Sequence, residues 1–401
     1  MLSLKGIMLF QSLTAVILFV LSGQSALGAD PKRVYDEATT ALYNLDFNTA
    51  QHGYETLTRE HPENPDYWNG LASAIWLKIT FDQQKLNLES FSGSSLGTKD
   101  SRDSVNPIDE KRLRDTIAIA IQKADALLRK NPNDLHALYA KGISNGSLAS
   151  FEATAKRSYI NAHSKAKIAR DLHEQVLKLD PTYEDANLAV GAYDYVVGVV
   201  PGFVRFLLVP FGVRSAGKEV GIGELETAAA KGKNASTDAK LILTVIYTRE
   251  KRYEQAVQIL ESLHQKYPGN FMLEMAEGSV YGKMHKWDDA ERVYQHVLTK
   301  VQAKKDGYER LRQARVLYAL GTNEMDSEQF DKAMDTFTHV ASAGDATENE
   351  KGRSYLWLGK LFDSKKDRAR ALQQYDSLLT LNCSEDLKLE AQRYKRRPFG
   401  E

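Results

Sequence analysis

The sequence predicts an all-α chain, an α-solenoid of helix–turn–helix repeats with a divergent helical segment at its centre. Three observations lead there. Stretches of the chain superpose on one another at an interval of 34 residues, which suits a helical hairpin. The 10 prolines are few for 401 residues and sit mostly between helical runs, whereas a strand-rich fold would need more turn chemistry. Hydrophobic residues at 42% and charged residues at 26% lie near globular averages, so the chain has enough apolar surface for a core. The 53 basic and 53 acidic side chains cancel, which leaves no global field to attract nucleic acid, and no nucleic-acid partner is expected.

Taken in order, residues 1–28 read as a signal peptide. Lys5 gives the positive start and Ile7 to Leu21 form a mostly apolar run. Ala26-Leu27-Gly28 puts small residues at the two positions a signal peptidase reads, so cleavage is expected before Ala29 and the protein is expected to be exported, periplasmic or secreted. The alternative is an uncleaved N-terminal membrane anchor, which Gln11, Ser12 and Thr14 weaken. No Cys follows the run, so a lipoprotein signal is excluded. Cys383 is the single cysteine, which rules out an intramolecular disulfide, and it reads as a small buried hydrophobe.

Residues 29–88 read as the first repeats. Ala38, Ala50, Tyr54, Leu57 and Pro62 follow one copy, and Trp68, Leu71 and Ala72 open the next helix. Residues 89–106 are Ser/Gly-rich and expected to form a mobile loop. Over 107–236 the pattern diverges. Ala120, Ala124, Leu127 and Pro132 keep a second-helix spacing, as do Ala169, Val176 and Pro181, each followed by a fresh helix near Asp134 or Glu184. Residues 188–213 are the most apolar of the mature chain, but Asp194, Pro201, Arg205 and Pro210 argue against a membrane span. The expectation is a helix ending near Gly198, a turn at Pro201-Gly202 and a short apolar helix inside the solenoid. The alternative is an apolar 195–213 hairpin that contacts a membrane surface peripherally or covers the groove, with Val204 and Leu208 as its contact residues.

The clearest copies fill 237–385. Leu243, Tyr247, Ala256, Leu260 and Pro268 align with Gly278, Tyr281, Ala290, Tyr294 and Val297, and both Tyr247 to Tyr281 and Ala256 to Ala290 span 34 residues. Short turns fall at Glu250-Lys251-Arg252 and His285-Lys286-Trp287. Two further copies carry Leu317, Leu320, Gly321, Ala333 and Phe337, then Tyr355, Leu358, Gly359, Phe362, Ala371 and Tyr375. Their alanines lie 43 and 38 residues after the preceding ones, so the connections carry insertions of nine and four. Glu324 stands where the other copies have an aromatic residue, which predicts looser packing. Residues 386–401 read as a charged capping helix and tail.

These positions resemble the tetratricopeptide-repeat family, with its small residue, aromatic, alanine and proline at fixed places in each copy. The likeness is strong over 237–304, fair over 31–76 and 314–383, and weak between. It implies a right-handed solenoid, of an exported bacterial type, whose helices cross closest at Thr244, Gly278, Ala256 and Ala290. It also implies a non-catalytic scaffold that holds a protein or peptide partner in a concave groove. In this register the groove residues are Tyr35, Trp76, Leu241, Val245, Met272, Met275, Tyr318 and Met325, an apolar and adaptable lining suited to an apolar helix or extended peptide. Alternatively, some of them pack beneath the central insertion.

Other motifs carry less. Gly212 to Lys218 fits the frame of a phosphate-binding loop, but Glu219 follows where Ser or Thr would hold magnesium, so a turn into the next helix is expected. His173-Glu174 is followed by Leu177 at the position a zinc motif needs for its second His. No cofactor or metal is implied. Asn145, Asn234 and Asn382 sit in N-x-Ser triplets. The basic run Arg393 to Arg397 reads as a solvated helix end.

Overall fold

Helix starts follow the local chemistry. Asp30, Asn64 and Asn106 cap helices that open with proline, whose missing N–H costs nothing at that position. Thr347 and Glu350 form a reciprocal capping box. A computed structural model describes residues 30–83, 105–200, 213 and 215–401. Among the described residues the regular elements are all helical. They are α1 (Pro31–Tyr43), α2 (Phe47–Glu60), α3 (Pro65–Asp82), α4 (Pro107–Lys130), α5 (Leu135–Thr154), α6 (Tyr159–Leu179), α7 (Asn187–Gly198), α8 (Lys218–Lys231), α9 (Ser236–Arg249), α10 (Tyr253–Lys266), α11 (Phe271–Lys283), α12 (Trp287–Gln302), α13 (Gln313–Asp326), α14 (Phe330–Ser342), α15 (Glu348–Ser364), α16 (Arg368–Thr380) and α17 (Glu385–Arg396), with a 3₁₀ turn at Glu184–Ala186. The fold is the expected all-α solenoid, and each helix packs on the next along the chain.

The repeat contacts are specific. A Cβ at Gly278 would meet the Tyr294 ring at 2.6 Å, one at Gly359 the Tyr375 ring at 2.3 Å, and one at Gly70 the Tyr54 ring at 2.3 Å. Ala50, Ala256, Ala290, Ala333 and Ala371 are all fully buried. The divergent middle follows the same rule, since Gly142 on α5 faces the ring of His173 on α6 at 2.2 Å. Between α7 and α8 both sides are glycine, and Gly191 and Gly221 bring the two backbones together.

Several expectations are corrected. Glu324 does not loosen its repeat: it is 4% exposed, burial raises its pKa, and Phe337 beside it is fully buried. Val105 and Asn106, placed in the mobile loop, are ordered; Val105 is buried and Asn106 caps α4. The start of the apolar hairpin, 195–198, is the last turn of α7, with Tyr195 and Val197 buried. Asn145 of the first N-x-Ser triplet is buried and donates to the Lys141 carbonyl. The signal segment, the remainder of the loop, and Val204 and Leu208 lie outside the described residues. Among the described residues no helix is long and apolar enough to cross a membrane.

The array is not an open spiral. The α1–α2 turn docks on the α10–α11 turn, more than 220 residues away in sequence. Asn44 Oδ1 accepts from the Gly269 amide at 2.9 Å, and Asn270 Nδ2 donates to the Tyr43 carbonyl at 2.8 Å. The Tyr43 hydroxyl donates to Asp238 at 2.8 Å, and its ring lies 5.0 Å from that of Tyr267. The nine-residue insertion before α13 supports this contact. Its Gly307 (φ 86°) crosses Gly269 so closely that a Cβ would sit 2.3 Å from the Gly269 carbonyl oxygen. Arg310 donates to the Leu45 carbonyl at 3.1 Å, and the fully buried Tyr308 hydrogen-bonds to Glu274. Phe47, Phe81 and Phe271 join the two ends in one apolar core.

Candidate functional site

Closure turns the concave face into the wall of a chamber. The odd-numbered helices α1, α3, α5, α7 and α9, together with α6 as far as His173, line a cavity of about 1980 Å³. Small-molecule pockets usually span about 300–1,000 Å³, so this space is roughly twice the largest of them. Its wall alternates small residues, such as Gly142, Gly146, Ala149 and Ala166, with Tyr35, Trp76, Leu77, Leu241 and Val245.

The polar groups on the wall are mostly paired. His136 Nε2 lies 2.7 Å from Asp66, and that hydrogen bond raises the imidazole pKa. Asp238 faces the cavity but is surrounded by protein, which raises its pKa against the opposing hydrogen bond from Tyr43. His173 is 2% exposed, its Nδ1 lies 2.7 Å from the Ala169 carbonyl oxygen, and burial pushes its pKa down to about 4. Asp66 Oδ1, the oxygen turned away from His136, is buried without a partner, and two further wall side chains share that state. His163 Nε2 and the Tyr193 hydroxyl are buried without a hydrogen-bond partner, and their rings lie 5.9 Å apart.

Residues 35–79 and 238–270 each match a sequence model described as a tetratricopeptide repeat. The chain carries tetratricopeptide repeats. The two matched segments are the ones that meet at the closure, through Tyr43 and Asp238 and through Asn44 and Gly269. No curated protein matches the chain. Among solved structures, yeast Tom70 aligns over 92% of this chain and 89% of its own, at 12% identity and a TM-score of 0.36. The APC/C hetero-tetramer Cut9-Hcn1 aligns over 93% and 57%, at 15% identity and a TM-score of 0.47. A tetratricopeptide repeat protein from Parabacteroides merdae aligns over 92% and 100%, at 9% identity and a TM-score of 0.30. Likeness this distant adds no argument; the repeat assignment rests on the two matched segments and the helix pairs.

Repeat register places the eight groove residues in three settings. Tyr35, Trp76, Leu241 and Val245 line the cavity. Met272 and Met275 do not line a groove, because they are 5% and 1% exposed within the core shared with Phe47, Ile75 and Ile79. The reason is the closure: the first repeat of the chain covers the face of α11 that an open array would present. Tyr318 and Met325 lie outside the cavity, half-buried beside Phe337 and Trp357. The wall of α5, α6 and α7, including His163 and Tyr193, was missed by sequence reasoning. One signal could have found it. Ala169, His173 and Val176 keep the spacing of Ala290, Tyr294 and Val297, with His in place of the aromatic.

The remaining motifs are structural. Lys218 and Glu219 begin α8 and pair with Glu250 at 2.6 Å and Arg252 at 3.0 Å, so the lysine of the phosphate-loop frame is bound to a carboxylate. Among the described residues no group of His, Cys, Asp and Glu is arranged to hold a metal. Cys383 is buried against Gly352. In the basic C-terminal run, Tyr394 packs against Tyr375, and Arg368 donates to the Tyr394 and Lys395 carbonyls at 2.8 and 2.7 Å, which caps α17.

Proposed function

We propose that the protein is an exported, non-catalytic scaffold that takes an apolar segment of a polypeptide partner into the concave chamber. The observation that carries this reading is the chamber itself. It is too large for an ordinary small-molecule pocket, and Tyr35, Trp76, Leu241 and Val245 place aromatic and aliphatic surface on its wall. Tetratricopeptide repeats are protein-binding units, which favours a polypeptide over other occupants. Export follows from the leader, with the working protein starting at Ala29.

The reading is tested by placing a photo-crosslinking residue at Val245, on the cavity wall, or at Leu389, which is 54% exposed on α17. Illumination in an envelope extract is expected to give discrete polypeptide adducts from position 245, suppressed by excess unlabelled protein, and none from 389. Equal labelling at both positions, or no competition, would remove the chamber as the partner site.

A further inference from the structure

Burying a hydroxyl or imidazole nitrogen without a partner forfeits its hydrogen bond to water, so folded proteins rarely leave such atoms unmatched. His163 and Tyr193 are two of them, on adjacent helices that both line one cavity. Tyr193 is only 6% exposed, and its ring is held from behind. The Arg170 guanidinium lies 5.3 Å from the ring centroid and is itself fixed by Asp194, at 3.1 and 3.2 Å. Burial and the charge of Lys167 keep the His163 ring neutral, so it has one N–H to donate rather than a charge to neutralise. The pair is therefore suited to an uncharged oxygen.

The surroundings of the pair are apolar in both directions. Inward, Ala166 lies one turn from His163 and packs with Tyr193, Val197 and Val213. Toward the N-terminus of α6 and the end of α7, the cavity lining includes Tyr159, Ile160 and Val196, which are 63%, 87% and 62% exposed. Aliphatic surface left in water at a cavity rim favours a ligand or surface that covers it.

We infer that this end of the chamber binds a neutral acyl amphiphile, with its head-group oxygen hydrogen-bonded to His163 and Tyr193 and its chain running along the apolar wall. This goes beyond the scaffold reading. It assigns a small-molecule site to the α6–α7 wall, whereas the polypeptide reading draws on the α1, α3 and α9 wall. The chamber is large enough for the two to meet, so a bound lipid and an inserted polypeptide compete for space.

The test titrates the full chain, stripped of lipid by solvent exchange, with the methyl ester of cis-parinaric acid, whose fluorescence rises in an apolar site. Saturable binding to the wild type is expected. Ala166→Trp, which fills the inner end, is expected to abolish it. The double change His163→Phe, Tyr193→Phe keeps the apolar volume and removes both hydrogen-bonding atoms, so affinity should fall by about tenfold to a hundredfold. Circular dichroism melts check folding, and Val245→Trp blocks the cavity from the opposite wall if Ala166→Trp does not fold. No saturable binding by the wild type overturns the inference, as does unchanged affinity in the double variant. Binding that survives both cavity-filling variants places the ester elsewhere and also overturns it. Loss of the ester site with polypeptide crosslinking from Val245 intact leaves the scaffold reading standing; crosslinking lost with ester binding intact does the reverse.

Discussion

His173 occupies the position where other copies place Tyr294, Phe337 or Tyr375, and its ring fills the gap that Gly142 opens. An imidazole is smaller than a phenol ring and can carry a proton, so the substitution makes this helix pair sensitive to acid. The folded-state pKa is depressed to about 4 from the usual 6.5, so the unfolded chain binds the proton more readily. Stability from this group is therefore complete above about pH 6.5 and is lost as pH falls through about 4, by up to about 3 kcal/mol. Urea unfolding from pH 4 to 8 should show this loss in the wild type and a shallower acid slope in His173→Phe. Equal slopes would mean that the ring is not what titrates. The same residue shows why the middle of the chain was hard to read. Histidine does not register as the repeat's aromatic, although Ala169 and Val176 on either side keep the spacing, and the groove wall around it was lost with it. The methionines failed in the opposite way. Their register was read on one helix, and the first repeat that buries them lies far away in sequence.

Helix ends, by contrast, follow a rule that the sequence carries only in part. Five turns within repeats share one geometry, with a left-handed residue at Leu45, Lys251, His285, Glu328 and Lys366, φ between 59° and 65°. In each, the next residue's amide bonds back five positions: Asp46 to Ala41, Arg252 to Tyr247, Lys286 to Tyr281, Gln329 to Glu324 and Asp367 to Phe362, at 2.7–3.0 Å. This is the Schellman cap, which usually places glycine at the left-handed position. None of the five is glycine, so each turn holds a side chain in a conformation costing about 1–2 kcal/mol. The turns at 250–252 and 285–287 were legible from repeat length; their handedness was not, because the residues there give no glycine signal. The cap also explains why Glu324 is tolerated, since its backbone carbonyl does what Tyr247 and Tyr281 do. Lys251 is exposed, so Lys251→Gly should stabilise the protein by about 0.5–1 kcal/mol. Gln258→Gly, exposed in the middle of α10, should cost about 1 kcal/mol. Chemical denaturation of the two variants should give opposite signs, and destabilisation by both would show that the turn is relaxed as it stands.

At the scale of the whole molecule, closure changes what kind of object a repeat array is. In a linear solenoid each repeat touches only its neighbours, so a local defect stays local. Here the first repeat docks on the α10–α11 turn through Asn44 and Asn270, and the insertion bearing Tyr308 and Arg310 reinforces that contact. The repeats from α1 to α10 therefore share the closure, and the cavity exists only while it holds. Nothing in the 34-residue spacing foretold this, because the contact lies in turn residues and in an insertion, the positions that a repeat pattern leaves unspecified. The double variant Tyr43→Ala, Asn44→Ala removes the ring contact with Tyr267, the hydroxyl on Asp238 and the acceptor for the Gly269 amide. Because these groups act on both ends at once, amide hydrogen exchange should accelerate together at residues 41–47 and 266–272, and small-angle scattering should show an expanded particle. Faster exchange confined to 41–47 would mean that the far side holds its shape alone. In that case the array is a spiral whose ends happen to touch, and the chamber would no longer depend on its first repeat.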